Sequence, residues 1–264
     1  MNIYDCFSYL DEDLLLNLRF NILDRFVDYF VIVESNKTWQ NNHKNHNFDI
    51  SKFQKFKEKI IYIKILDMPD GDNPYLRENY QRNCISRGIE KADNEDLIII
   101  SDLDEIPNPN KLKEFRKSMK YAVFKQMHFY YKINLQSQVN PFWFGSRICV
   151  KKYLKSPQWL RDLKFKKRPF WRLDKYRLNN IIDDGGWHFC NLKSPEKLLY
   201  KYKNLCEKAR LMKQVQSLAK SAATAAARAE QSFEEAAAST RRAEAAVEAV
   251  RLYASAAEDK NEAW

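Results

Sequence analysis

The sequence predicts an α/β fold: a mixed, mostly parallel sheet flanked by helices, followed by an alanine-rich helical tail. Three observations carry that reading. Apolar runs of strand length alternate with stretches of helical spacing over the first hundred or so residues, and strand–helix–strand order implies parallel pairing with right-handed crossovers. Leu97 to Ile100 is an unbroken apolar run, as in a central strand buried on both faces. Alanine occurs only at Ala92 and Ala122 before Ala209, then dominates, with no Gly or Pro after Pro195.

Residues 3–9 alternate and are aromatic, a first strand. Asp11 is expected to cap a helix, with Glu12 and Asp13 at its positive end. Leu14, Leu15, Leu18, Ile22 and Phe26 recur at helical spacing as its buried stripe. Residues 29–33 form a second strand ending at Glu34 and Ser35. Residues 36–47 are a polar loop anchored by Trp39, with His43 and His46 solvated. A short basic helix over 53–59 and a third strand over 60–66 follow. Asn73-Pro74 starts a helix, cap then Pro, running to about Lys91 with Arg77 and Gln81 on one face. After the strand at 97–100 come a basic helix over 111–119 and strands over 121–133 and 142–150. Residues 164–172 are dense in Lys and Arg with Phe and Trp between them: a phosphate or acidic-glycan contact, or a solvated basic loop. Asp183-Asp-Gly-Gly-Trp-His-Phe189 is a bend, and Ser194-Pro195-Glu196 starts another helix. Residues 1–208 read as one domain and 209–264 as a tail, foreign to it or engineered onto it, with a thin apolar stripe of Leu211, Val215, Leu218, Phe233, Val247, Val250 and Leu252.

The chain of 264 residues carries a net charge of +10. From Ala209 onward eight basic and eight acidic residues cancel, so the excess lies before it. Such a balance favours anionic partners: nucleotides, nucleic acid or an acidic membrane surface. Met1 leads directly into a strand-like segment rather than a signal peptide, and no apolar run reaches the length of a membrane span. Five widely spaced cysteines contain no Cys-x-x-Cys pair and read as reduced thiols. The expectation is a cytoplasmic protein, with peripheral contact to an acidic membrane surface as an added option.

The chemistry centres on Asp96-Leu-Ile-Ile-Ile-Ser-Asp-Leu-Asp-Glu-Ile-Pro107. The strand ends and releases Asp102, Asp104 and Glu105; Pro107 and Pro109 then limit further pairing. Ligands of open α/β sheets bind beyond the carboxyl ends of the strands. Asp102 and Asp104, two apart in extended chain, can point together. Paired carboxylates repel unless positive charge lies between them. A hard divalent cation shared with a phosphate is the natural occupant; Mn²⁺ and Mg²⁺ both take oxygen ligands. The plain alternative is that these acids only form turns and caps.

Three stretches together resemble glycosyltransferase family 17, the β-1,4-mannosyl-glycoprotein 4-β-N-acetylglucosaminyltransferase family. They are Asp5-Cys-Phe through Tyr29-Phe-Val-Ile-Val-Glu-Ser35, the central stretch ending at Pro107, and Gly185-Gly-Trp-His-Phe189, with the segment from Arg77 to Arg82 between them. The resemblance spans roughly residues 3–202. It implies a GT-A type fold, UDP-N-acetylglucosamine as donor, a glycan or glycoconjugate acceptor, inversion at the sugar carbon, and a divalent metal on Asp102 and Asp104. By the family pattern His188 approaches the same metal or the diphosphate. The membrane anchor and stem of the animal members have no counterpart here, and the alanine-rich tail stands in place of the usual C-terminal part.

Within that frame Arg77 and Arg82 either clamp phosphate oxygens or form a helix face with a Glu78–Arg82 pair. Glu34 either meets the nucleoside or caps a loop. Inverting transfer needs a carboxylate base at the acceptor hydroxyl; Asp183, Asp184 and Glu105 are the candidates. The competing classes are a basic nucleic-acid binder or metal nuclease, and a non-catalytic scaffold with a helical tail. Sheet order and the lack of a nucleic-acid motif favour the transferase, so no nucleic-acid partner is expected.

Overall fold

The computed structural model describes residues 1–164, 180–204, 224 and 228–241. The chain divides into two compact units, Met1–Cys206 and Glu207–Trp264. In the second, residues 228–241 are helical and Phe233 is exposed. The other apolar residues of the expected tail stripe, most of the basic segment at 164–172, and Cys206 lie outside the described residues.

The first unit is built on a nine-stranded sheet. Its strands are β1 (Ile3–Ser8), β2 (Tyr29–Ser35), β3 (Ile60–Ile65), β4 (Leu97–Asp102), β5 (Glu105–Pro107), β6 (Tyr121–Tyr130), β7 (Phe142–Val150), β8 (Ile181–Ile182) and β9 (Gly186–Cys190). Spatial order is β3-β2-β1-β4-β7-β6-β9-β5, with β8 beside β6. The first four strands in that order are parallel. β7 runs antiparallel to both β4 and β6. β9 is parallel to β6 and antiparallel to β5. This is the mixed sheet flanked by helices that the element order implies. The helices are α1 (Asp13–Leu23), α2 (Pro74–Asn83), α3 (Ile85–Gly88), α4 (Pro157–Asp162) and α5 (Pro195–Asn204).

The central strand is buried on both faces, as its composition requires. Ile98 and Ile100 pack with Cys6, Val31, Ile85 and Leu160 on one side. Leu97 and Ile99 pack with Phe124, Ile148 and Val150 on the other. Each fully buried Ile or Leu contributes about 1.5–3 kcal/mol. Asn73 Oδ1 accepts the Tyr75 N–H at 3.0 Å and Pro74 opens α2, as predicted.

Five local expectations are corrected. The buried stripe of α1 is Leu15, Leu16, Arg19, Phe20 and Leu23, while Leu14 and Phe26 are exposed. The stripe is displaced because Arg19, polar in sequence, is held inside by an acid on β1. The α1 cap is Glu12 rather than Asp11, and its carboxylate turns back to accept the N–H groups of Leu10 and Asp11. The basic segment before β3 is a 3₁₀ stretch, Ile50–Lys59, kinked at Phe53, and the one after β5 is two 3₁₀ turns, Pro109–Glu114 and Lys117–Met119. The helix begun at Pro74 breaks at Cys84 and ends at Gly88. The bend before β9 does need its glycine: Gly186 has φ +122°, and a Cβ there would overlap the Ile106 carbonyl oxygen.

Candidate active site

β4 carries Asp102 to the carboxyl end of the parallel strands, and β9 delivers His188 beside it through its pairing with β5, where Glu105 faces His188 in register. The turn between β4 and β5 is held from below by one side chain. Arg19 is fully buried and makes a two-pronged ion pair with Asp5, Nε to Oδ2 at 2.7 Å and Nη2 to Oδ1 at 2.6 Å. Its Nη1 donates to the carbonyl oxygens of Asp102, Leu103 and Glu105 at 3.2, 3.2 and 2.9 Å. Its Nη2 also reaches Ser101 Oγ. Sequence reading missed Arg19 and Asp5. The available signal was an acid inside a strand and an arginine on the apolar side of the following helix, two charges that can be buried only as a pair.

The positive charge between Asp102 and Glu105 is a guanidinium. Arg161, from α4, donates Nη2 to Asp102 Oδ2 at 2.9 Å, and Nη1 and Nη2 to Glu105 at 2.7 and 3.0 Å. Arg82 adds a contact to Asp102 Oδ1 at 3.2 Å and one to Glu78 at 3.0 Å. Burial raises the Asp102 carboxyl, but Arg161 and Arg82 outweigh it and hold it well below the usual carboxylate range. Glu105 is lowered too: Arg161 overcomes both its burial and the neighbouring Asp102. Glu105 is fully committed, since Trp143 Nε1 donates to Oε1 at 2.7 Å and the Asp102 N–H to Oε2 at 3.1 Å. Gly145 makes room for this, because a Cβ there would stand 2.9 Å from Glu105 Cδ. Asp102 keeps 43% of its side chain exposed, so it still faces the cleft.

Asp104 lies apart from that cluster. Its Oδ1 is 3.6 Å from His188 Nε2 and its Oδ2 is 3.5 Å from Lys201 Nζ of α5. Burial lowers the Lys201 ammonium, but Asp104 and Glu12 more than reverse it. The His188 ring stacks on His128 of β6 at 4.6 Å and lies 5.0 Å from Trp143.

The structure thus brings together Asp102, Asp104, Glu105, Arg82 and His188, and adds Arg161, Lys201, His128 and Trp143. It places four expected residues elsewhere. Arg77 is buried and donates to the Trp39 carbonyl at 2.6 Å and to the Gly71 carbonyl, tying two loops to α2 rather than clamping phosphate. Glu34 is buried with both oxygens taken by Lys44, the Asn47 and Phe48 N–H groups and Tyr62, so it pins a loop rather than meeting a nucleoside. Asp183 pairs with Lys125 at 2.9 Å. Register sets Gln126–Trp143 and His128–His188 on one sheet face and Lys125–Phe144 and Met127–Trp187 on the other. Asp183 therefore lies with the face opposite His188. Asp184, at φ +49°, gives its carbonyl to Asn108 Nδ2 at 3.0 Å. Neither aspartate joins the cluster.

A sheet whose central strand ends in carboxylates, with a histidine facing them and arginines behind, sets a charged site at the carboxyl ends of the parallel strands, where α/β proteins bind their ligands. The particular family follows from comparison. The model described as Glycosyltransferase family 17 matches residues 1–224, and the chain belongs to that family. That match runs past Ala209, into the alanine-rich tail. A β-1,4-mannosyl-glycoprotein 4-β-N-acetylglucosaminyltransferase of Homo sapiens is 30% identical over 103 residues, 35% of this chain and 19% of that protein. The Rattus norvegicus protein of the same name matches to the same extent, 30% over 103 residues. The match thus spans about a fifth of the length of these curated relatives. The crystal structure of S. aureus TarS 1–349 superposes with a TM-score of 0.39 and 15% identity, covering 77% of this chain and 63% of that one; at that level it assigns nothing here. Among the described residues, no helix is long and apolar enough to cross a membrane.

Proposed function

We propose that this chain is a hexosyltransferase that moves N-acetylglucosamine from UDP-N-acetylglucosamine onto a hydroxyl of a glycan or glycoconjugate. Family membership supports the class. The single observation that carries the mechanism is the Asp104–His188 pair at the mouth of β4, beside an arginine-held Asp102. The pair fits a divalent cation, Mn²⁺ or Mg²⁺. Its 3.6 Å separation is too long for a hydrogen bond, and it is close to the ~3.0–3.5 Å between two donors bonded at about 2.1 Å to one ion. Such an ion, when bound, supplies Lewis-acid neutralisation of the diphosphate leaving group.

The residues of the chain do the rest. Asp104 and His188 would hold such an ion at the donor's diphosphate end. Asp102, oriented by Arg82 and Arg161, would direct its exposed oxygens toward it or toward the ribose. Arg161 keeps Asp102 and Glu105 ionised and fixed, so the site enters the reaction already organised. Lys201 lends positive charge on the Asp104 side. The net charge of +10 supports an anionic substrate. The test is hydrolysis of UDP-sugars in the absence of acceptor, screened with Mn²⁺, with Mg²⁺ and with chelator. Metal-dependent release of UDP from UDP-N-acetylglucosamine, above the other donors, is the expected result. No release from any UDP-sugar under any condition would remove the reading.

A further inference from the structure

We propose that His128, His188 and Cys190 form a binding site for a thiophilic divalent ion, zinc foremost. Nothing in the transfer chemistry above uses His128 or Cys190. The three residues come from adjacent parallel strands. His128 on β6 is in register with His188 on β9, and Tyr130 with Cys190, so Cys190 lies two residues along on the same face. Each offers one ligand atom, and the three atoms lie within 4.8 Å of one another. Zinc bonds of about 2.0–2.1 Å to nitrogen and ~2.3 Å to sulfur set tetrahedral ligands roughly 3.5 Å apart. Closing the site on an ion takes about an ångström of approach, together with rotation of the two stacked imidazoles out of their parallel arrangement so that both lone pairs meet the ion.

The second observation is independent of spacing. His128 and His188 are only 3% and 8% exposed, and one nitrogen of each ring, His128 Nε2 and His188 Nδ1, is buried with no hydrogen-bond partner. Buried polar atoms without partners call for an explanation, and a missing ion is one. For His128 the tautomer is determined. Its Nδ1 lies 3.2 Å from the Asn140 carbonyl, so Nδ1–H donates there and Nε2 carries the lone pair. An imidazole whose far N–H is fixed by a backbone carbonyl is how proteins orient a metal-ligating histidine. Three protein ligands leave a fourth position for water or another ligand.

A thiolate with two imidazoles selects a softer ion than the carboxylate-centred arrangement at Asp104. His188 belongs to both, through different nitrogens: Nε2 faces Asp104, and the unpartnered Nδ1 is left for the trio. The role beside Asp104 rests on the proposed transfer; the trio itself does not.

The experiment uses the full chain, freed of metal by chelation and handled without oxygen, and needs no sugar donor. Co²⁺ is titrated as a spectroscopic stand-in, then displaced with Zn²⁺. The expected result is a thiolate-to-cobalt charge-transfer band that saturates at one equivalent and is abolished by Zn²⁺. Cys190→Ser and His128→Ala should each lose the band and weaken Co²⁺ binding at least about tenfold, since even residues that only orient a ligand cost that much. Asp104→Asn should keep the band. Near-ultraviolet circular dichroism checks that each variant is folded, and Cys190→Ala is the second variant should Cys190→Ser unfold. Absence of the band in the parent would overturn the proposal, as would its persistence in folded Cys190→Ser and Cys190→Ala. Loss of the band in Asp104→Asn would overturn it too, by placing the ion at the other site. Donor hydrolysis is scored separately, so failure of the transferase reading leaves this result standing.

Discussion

Replacing Arg19 with Met should be among the most damaging single changes in the molecule, although Arg19 touches no substrate. The side chain is fully buried and paired with a fully buried Asp5. Its removal leaves an uncompensated charge in the core, which costs about 3–5 kcal/mol. The carbonyls of Asp102, Leu103 and Glu105 also lose their Nη1 donor. A buried acceptor left unmade costs about 1–3 kcal/mol. Against a total stability of about 5–15 kcal/mol, the variant should be marginal or unfolded at 37 °C. The double variant Asp5→Leu with Arg19→Met removes the stranded charge but not the stranded carbonyls, so it should regain part of the loss and no more. Urea unfolding followed by tryptophan fluorescence measures both, with the slope m checked for constancy. A loss below about 1 kcal/mol in Arg19→Met would refute the buried pair as a major source of stability. A double variant less stable than the single one would refute it too, because Asp5 would then not be the stranded charge.

Asp104→Asn keeps the shape of the turn and should fold normally while metal-dependent UDP affinity falls; a catalytic loss on the order of 3 kcal/mol is expected, with a smaller loss for His188→Ala, and calorimetric titration of UDP with Mn²⁺ compares them. Asp102 and Glu105 have folded pKa values below their ordinary 3.8 and 4.5, so they stabilise the fold above about pH 4.5, and that stability is lost as pH falls through the depressed values. In Arg161→Met the two acids lose their shared cation, so burial and mutual repulsion push both carboxyls up; the melting temperature should be lower than the parent's at pH 7 and should fall less on acidification from pH 7 to 3, because protonation relieves the stranded charges. Gly186→Ala forces a side chain into a left-handed position against a backbone oxygen, and chemical denaturation should show a loss above about 1 kcal/mol. Truncation after Lys208 should leave UDP binding intact, and a folded truncation that no longer binds UDP would show that the tail contributes to the site.

Much of the architecture was legible because burial leaves a pattern. The run at 97–100, short, β-branched and flanked by polar residues, reads as a strand covered on both sides, and the acids after it then fall at the ligand end of the sheet. The Gly-Gly bend marked His188 for the same reason, since it supplies a backbone shape other residues resist. What escaped was every side chain whose partner lies far along the chain. Arg161 is separated from Asp102 by more than fifty residues, and nothing in its local sequence distinguishes it from a solvated arginine at the end of a short helix. Arg77 and Glu34 misled for the converse reason. Both carry the charge a ligand site would use, yet they are buried and groups of nearby loops consume their hydrogen-bonding capacity. Asp183 and Asp184 are close to His188 in sequence, but strand alternation and the bend turn them away. Proximity along a strand does not mean a shared face.

The position of β9 makes the site depend on two distant stretches of chain. β5 is three residues long and, among the described residues, pairs with β9 alone, while β9 lies between β5 and β6. The carboxylate turn, tethered by Arg19, is closed only when residues 186–190 are in place and the Phe189 N–H donates to the Asp104 carbonyl at 2.8 Å. A ligand that needs both Asp104 and His188 has nothing to bind in a half-folded chain, and stabilises only the finished one.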